Sequence, residues 1–369
     1  MRITVLNDRL SYALGVVGKG VASRPQLPVL ANVLIRTVSG GIEMLSTDLE
    51  ISFRVKVGAK VIEEGEVSVS GRILAELVAT LPSGPVELVV ERESLEIVAD
   101  GIRSKITGMA SGEYPVIPGF SGKADVEIGI DQLVSEVSRV SLAAAKDDSR
   151  PVLTGILWKF ENDGVRLVAT DGYRLSVSKM PLKQTGKVED KLILPARALT
   201  ELVRIVDKSE EKVVSVRFES EKQQVVFKVG EVELVSRLLA GEFPPFEQIL
   251  PGDHTTKMVV DKEKLSEAVK RAAIFARESA NLVKLQIGES QVKVSANSAQ
   301  TGSSESGLEA EVEGEGLEVA FNSRYLLDYL GVVEGGQVVF ESGGALKPGV
   351  FKEEGRNWVH IIMPVRVQG

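Results

Sequence analysis

Two turns in this chain place a carboxylate behind a threonine at the end of an apolar strand, and they are the first candidates for chemistry. Ser46-Thr47-Asp48-Leu49-Glu50-Ile51 and Ala169-Thr170-Asp171-Gly172-Tyr173-Arg174-Leu175 share a small-Thr-Asp opening, 123 positions apart. A turn aspartate could hold a cation or serve as a general base. The surroundings do not support either role. The matching third stretch, Ser295-Ala296-Asn297-Ser298, has lost the aspartate, and no second carboxylate converges on either turn. His254 and His360 are the only imidazoles and there is no cysteine, which disfavours histidine-based triads and His- or thiolate-rich metal sites. Gly15-Val16-Val17-Gly18-Lys19-Gly20 has the wrong spacing for a phosphate-binding loop. No catalytic residue, metal ligand or cofactor is expected.

What recurs is therefore more informative than what could react. A period of about 125 residues repeats three times in a chain of 369, and length alone allows two to three domains. The expected domains are 1–121, 122–251 and 252–369. Composition is globular, with 43% hydrophobic and 26% charged residues. No apolar run approaches the roughly 18–20 residues of a membrane span. Met1-Arg2-Ile3-Thr4-Val5 starts as a strand, without a signal peptide's regions. A cytoplasmic protein is the expectation. The net charge of −8 argues against binding DNA with the whole surface but allows a locally basic face.

Each repeat reads as strand, helix, several short strands, helix, then more short strands. In the first, a helix is expected over about 9–22, followed by the loop Arg24-Pro25-Gln26-Leu27-Pro28-Val29-Leu30. Strands follow at 42–45, 51–57 and 65–69, then a helix to about 81 with Ser70 as its cap. Strands at 86–90, 95–98 and 102–107 lead to Ser111-Gly112-Glu113-Tyr114-Pro115. In the second, a helix over 130–146 has Ile130, Leu133, Val134, Val137 and Val140 on one face and Asp131, Glu136 and Arg139 on the other. Ser149-Arg150-Pro151-Val152-Leu153 matches the Ser23-Arg24-Pro25 loop, and Pro195 opens a helix with the stripe Leu199, Leu202, Val203, Val206. This repeat closes on Ala240-Gly241-Glu242-Phe243-Pro244-Pro245-Phe246, an echo of the first. The third has a helix over 261–277, strands at 283–287 and 292–296, a polar loop over 300–306 and a helix from Asn322. Short strands with two helices per repeat indicate an α+β fold, antiparallel sheets on one side and helices on the other.

The charges divide unevenly over these elements. The six helical spans carry 14 Lys and Arg against 9 Asp and Glu, a surplus of five, leaving −13 for the rest of the chain. Arg72, Arg197 and Arg324 each sit in the first turn of a second helix, the wrong sign for the helix dipole. Arg197, Arg204 and Lys208 share one helix face. Two copies of the chain would supply twelve helices. At 8–10 Å between axes these would ring a circle of roughly 100–120 Å, leaving an opening of roughly 25 Å, enough for a hydrated duplex.

With these pieces in place the chain resembles, over essentially its full length, the bacterial DNA polymerase III beta subunit family, the sliding clamps. The likeness is carried by Arg24-Pro25-x-Leu27-Pro28-Val29-Leu30, Ala169–Leu175, Gly241-Glu242-Phe243-Pro244, Phe321-Asn322-x-x-Tyr325-Leu326 and Met363-Pro364-Val365-Arg366-Val367. The resemblance implies three clamp-type domains, a head-to-tail homodimeric ring around duplex DNA, and no catalysis. It implies partners that include the replicative polymerase alpha subunit, a clamp loader, and other polymerases and repair proteins carrying a short clamp-binding motif. It also implies a peptide pocket comprising Leu153, Thr170, Gly172, Tyr173, Arg174, Leu175, Pro244, Gln248, Ile249, Ile361, Ile362, Met363, Pro364, Val365, Arg366 and Val367. Gln248 and the end Val367-Gln368-Gly369 depart from the family pattern and bear on partner-motif preference. DNA contacts fall to Arg24, Arg72 and Arg197, and the Asp147-Asp148 pair weakens a contact from the loop before Arg150. The ring interface would set Leu77, Arg103, Lys105 and Ile106 against Ile274, Phe275 and Glu305. The alternative is a repeat-built interaction scaffold that never encircles DNA.

Overall fold

The computed structural model describes residues 1–22, 24–182, 189–207 and 209–366. Ser23, Lys208, Val367, Gln368 and Gly369, named above, lie outside them. Six α-helices are found among the described residues: α1 Asn7–Val17, α2 Gly71–Val78, α3 Ile130–Ser141, α4 Ala196–Val206, α5 Lys262–Ala276 and α6 Ser323–Val332. Local chemistry sets several of their starts. Ser70 Oγ accepts from Ile73 N–H at 3.4 Å, Asp261 Oδ1 from Lys264 N–H at 2.8 Å, and Asn322 Oδ1 from Arg324 N–H at 2.9 Å. The expected α3 overshoots: its end is pulled away where Ala145 N–H donates to the Leu153 carbonyl at 2.8 Å.

The strands form two antiparallel sheets, of 13 and 12 strands among the described residues. They belong to two compact units. One contains Met1–Asp131 and Glu201–Leu238; the other contains Gln132–Leu182, Glu189–Thr200 and everything from Leu239 on. The middle repeat is divided between them. Its strand Val232–Arg237 pairs with Ile51–Gly58 in the first unit, and its strand Arg174–Pro181 pairs with Trp358–Ile362 in the second. Both seams bury apolar residues on both faces, so continuous backbone pairing joins successive repeats.

Three successive strands of the first two repeats correspond at one offset of 123 residues. Asn32–Val38, Gly41–Thr47 and Ile51–Gly58 correspond to Gly155–Glu161, Gly164–Thr170 and Arg174–Pro181. The 3-10 turns Pro28–Ala31 and Pro151–Thr154 obey the same offset. This corrects the loop matching: Leu27-Pro28-Val29-Leu30, not Arg24-Pro25, is the counterpart of Arg150-Pro151-Val152-Leu153. A second correction concerns 300–306, expected as a polar loop. Gly302–Gly314 is a strand, held by its register with Gln291–Ser298 despite a Ser-, Gly- and Glu-rich sequence of low strand propensity.

The Thr-Asp turns are structural devices. Thr47 Oγ1 accepts from Leu49 N–H at 3.0 Å and donates to the Ile51 carbonyl at 3.3 Å, while Asp48 Oδ1 accepts from Glu50 and Ile51 N–H at 3.0 and 2.8 Å. Thr170 and Asp171 make the same four bonds to Gly172, Arg174 and Tyr173, at 2.7–3.1 Å. In the third repeat Ser298 Oγ accepts from Gln300 and Thr301 N–H, both at 3.3 Å. The turn forces a left-handed residue two places after the threonine: Gly172 at φ 92°, and Leu49 at φ 78°. A side chain there costs about 1–2 kcal/mol, against about 0.5–1 kcal/mol for glycine's extra chain entropy. Leu49→Gly is therefore expected to stabilise the protein by about 0.5–1 kcal/mol, and Gly172→Ala to destabilise it, both read from thermal unfolding.

Candidate functional site

The seam between Arg174–Pro181 and Trp358–Ile362 sorts its side chains by alternation. Leu175, Val177, Val359 and Ile361 face one side, where they join Leu157, Val168, Ile193, Phe246 and Val350 in an apolar floor. Val152, Leu239, Phe243 and Leu250 pack against it. Chain continuity puts exposed apolar residues at its margin: Tyr173 is 64% exposed, Ile249 38%, Met363 40% and Val365 38%. Met363 N–H donates to the Tyr173 carbonyl at 2.9 Å, tying the terminal segment to the turn. Leu153 and Thr170 are buried, Pro244 and Pro364 half-buried, and Gly172, Gln248 and Arg366 exposed.

Two residues expected in the pocket face the other way. Ile362, one place beyond Ile361, is fully buried in the separate core of the third repeat. Arg174 is 5% exposed on the face opposite Leu175. Its Nε lies 3.0 Å from Asp171 Oδ2, its Nη1 2.6 Å from Asp328 Oδ2, and its guanidinium 4.3 Å from the centre of the Tyr325 ring. Beside it lies a cation that the helical pattern had placed on a solvated face. Arg139 is 1% exposed, with carboxylates of Glu136 at 3.0 Å, Glu334 at 3.1 Å and Glu353 at 3.7 Å, and the Trp358 ring at 5.6 Å. Trp358 Nε1 donates to Ser176 Oγ at 2.8 Å, and Ser176 Oγ donates to the Arg139 carbonyl at 2.8 Å. His360 is wholly buried, stacked on Tyr329 at 5.5 Å. Burial, reinforced by the Arg174 charge, lowers its pKa to about 3, so the imidazole is neutral.

The residues expected to meet DNA are all on the surface. Arg24 is exposed in the loop before the 3-10 turn Pro28–Ala31, and Arg197 is exposed in the first turn of α4. Arg72 on α2 is 80% exposed and 4.0 Å from Glu76. Glu201 is shared by Lys19, at 2.6 Å, and Arg204, which tempers the positive charge there.

The residues expected at a ring interface lie on two strands that are each half-paired. Ile102–Met109 pairs along one side with Ser94–Ala99, while among the described residues its other side pairs only with Ser68 and Val69, at its very end. Gly302–Gly314 pairs with Gln291–Ser298 up to Glu309, and among the described residues its other side is paired only from Ala310 on. The first open edge carries the exposed Arg103 and Lys105, and the second carries the exposed Glu305 and Glu309. Arg103 and Glu305 each form an exposed ion pair within their own sheet, with Glu96 at 2.9 Å and Lys293 at 3.0 Å. Ile274 on α5 is 59% exposed, and Phe275 and Leu77 are half-buried. Ile106 is corrected: it is 6% exposed and points into its own sheet's core.

The comparisons agree along the whole chain. Residues 1–118, 127–245 and 247–366 match the N-terminal, central and C-terminal domains of the DNA polymerase III beta subunit. The beta sliding clamp of Bacillus subtilis is 31% identical over 379 residues, covering 99% of this chain and 100% of the relative. The crystal structure of a Bacillus subtilis DNA polymerase sliding clamp superposes with TM-score 0.94 at 29% identity, covering all of both chains. A sliding clamp from Bartonella birtlesii bound to griselimycin gives 0.93 at 28% identity, again over both chains in full. The chain belongs to the DNA polymerase III beta subunit family, the beta sliding clamps. Its function is that of a processivity clamp in DNA replication, non-catalytic and built of three clamp domains.

Two outcomes follow from the buried charges. Arg174→Met should destabilise the protein by about 3–5 kcal/mol, because it strands Asp171 and the seam. Asp328→Asn, at a half-exposed carboxylate, should cost under about 1 kcal/mol, both changes being read from urea unfolding. His360 must stay neutral to remain folded. Its contribution is complete above about pH 6.5, the unfolded value, and is lost as pH falls toward the folded value of about 3. His360→Phe should flatten the stability curve between about pH 6.5 and 4.5.

Proposed function

We propose that two copies of this chain join head to tail into a closed ring that threads duplex DNA, with domains bounded at 1–121, 122–251 and 252–369. The observation that carries this is the pair of half-open strand edges. Unpaired backbone groups on a strand are a template for a further strand, and Arg103 and Lys105 on one edge complement Glu305 and Glu309 on the other. Ile274, Phe275 and Leu77 supply apolar contact beside them. Two such joints close a dimer.

Within the ring, Arg24, Arg72 and Arg197 meet phosphates. Their exposure and the nearby Glu76 and Glu201 favour weak, sequence-independent contact. Topology rather than affinity then keeps the clamp on DNA, and sliding is unhindered. The apolar floor with its margin of Tyr173, Ile249, Met363 and Val365 takes a short peptide from the replicative polymerase alpha subunit, the clamp loader, or other polymerases and repair proteins. A few apolar anchors with polar guides suit a linear motif. Tethering raises the polymerase's effective concentration at the primer end. The compartment is the cytoplasm.

Retention on DNA tests the ring. The loaded protein should stay on nicked circular DNA and be lost within one linearisation step, while equal loss from both forms would favour a scaffold that never encircles DNA. Replacing Arg24, Arg72 and Arg197 by alanine should flatten the dependence of log K on log salt by about one unit for each arginine–phosphate pair removed. Deleting Met363 onward should abolish polymerase stimulation while sedimentation still shows a dimer.

A further inference from the structure

The peptide floor of the second unit has a counterpart in the first. Val29, Leu30, Leu34, Leu45, Val226 and Val235 form a buried cluster there. Leu34 and Leu45 occupy the places of Leu157 and Val168 in the repeat, and Val235 pairs with Ser52 as Ile361 pairs with Leu175. The same sequence signature runs past both: Gly112-Glu113-Tyr114-Pro115 at one, Gly241-Glu242-Phe243-Pro244 at the other.

The copies differ at three points, and each difference closes the first. Tyr114 stands where Phe243 stands. Phe243 is half-buried, whereas Tyr114 is 7% exposed, with its hydroxyl 3.2 Å from the carbonyls of both Asn32 and Leu45. The apolar pair Val177–Val359 is replaced by Arg54–Glu233 at the same register. That pair grips the following segment. Arg54 Nη2 donates to the Ile117 carbonyl at 2.7 Å, and Glu233 Oε2 accepts from Phe120 N–H at 3.0 Å. Buried Glu43, 2.9 Å from Arg54 Nη1, anchors the guanidinium from below. The segment lies close on its clasp, since a Cβ added to Gly119 would come within 3.0 Å of Arg54 Nη1. At the third point, Leu175 becomes Ser52, and an apolar side chain of the floor gives way to a hydroxyl.

We propose that the first unit holds a closed copy of the peptide groove, occupied from within by residues 114–120 of the chain itself. Tyr114 and the Arg54–Glu233 pair hold it shut, and this is why each chain offers one peptide site rather than two. The ligand class of the copy is that of the open groove, a short peptide with adjacent apolar side chains. The inference rests on the peptide-groove reading given above.

The test replaces the closing residues of the first copy by their counterparts in the second: Tyr114→Phe, Arg54→Val and Glu233→Val together in the full-length dimer. A fluorescein-labelled hexapeptide with adjacent Leu and Phe is titrated by anisotropy and its stoichiometry fixed by calorimetry. The unaltered chain should bind one peptide and the triple variant two. With Met363 onward deleted, the unaltered sequence should bind none and the triple variant one. A folded triple variant that still binds one peptide per chain overturns the proposal. If the triple variant fails to fold, Tyr114→Leu alone replaces it, with a second site at least tenfold weaker expected and a single site again overturning it. No binding by the unaltered chain would instead remove the groove reading of the second unit, a result distinguishable from the others.

Discussion

The constraint on which the rest depends is that the strand from Arg174 to Ser178 must serve two environments at once. Its period of two sends Leu175 and Val177 to an apolar floor and Arg174, Ser176 and Ser178 to a polar layer. The partner strand obeys the same rule, with Val359 and Ile361 on the floor and Trp358 and His360 behind it. The cations buried in that layer are met by carboxylates from several elements, Asp171 and Asp328 for Arg174 and Glu136, Glu334 and Glu353 for Arg139. Such ion pairs add little net stability over an apolar packing but penalise misassembly heavily, since one displaced partner strands a charge. The seam is thereby fixed in one register, and the floor on its other side inherits that geometry.

The Thr-Asp turn immediately before Arg174 feeds this arrangement. Asp171 caps the turn with Oδ1 and meets Arg174 with Oδ2, so one carboxylate both shapes the backbone and neutralises the buried guanidinium. In the first repeat Asp48 shapes the turn in the same way, but position 51 is isoleucine and the cation moves to the half-buried Arg54. The local device is preserved while the charge it serves is relocated. This is how similar repeats come to have one apolar face and one ionic face at equivalent seams.

Much of the architecture was legible in the residues. The six helices follow from apolar periodicity and from caps such as Ser70 and Asn322, and most short strands fall within a residue or two of their expected spans. Failures share a cause, which is that their determinants are not local. Residues 142–146 look helical, yet a carbonyl from Leu153 claims the Ala145 amide. Gly302–Gly314 has little strand propensity of its own and is held by its neighbour's register. Arg139 sits at helical spacing among polar residues, and nothing nearby announces that Glu353 will bury it. The misplacement of Arg174 and Ile362 is of another kind. Strand alternation already separates Arg174 from Leu175 and Ile362 from Ile361, and family likeness grouped residues that geometry keeps on opposite faces.

The two half-open edges complete the physical picture. Each arises where a strand changes partners partway along its length: Ile102–Met109 leaves Ser94–Ala99 to touch Ser68 and Val69, and Gly302–Gly314 passes from Gln291–Ser298 to Thr256–Asp261. A long strand shared between two partners necessarily exposes backbone donors and acceptors on one side before the change. Left uncovered, that backbone invites indiscriminate pairing. Charge makes it selective: an edge bearing Arg103 and Lys105 repels its own kind, and one bearing Glu305 and Glu309 does likewise. In the proposed ring only the unlike combination would be favourable, and unlike edges on one chain would make the joint head to tail rather than face to face. In the ring proposed here, the change of partner along each strand is also what makes the joint between copies directional.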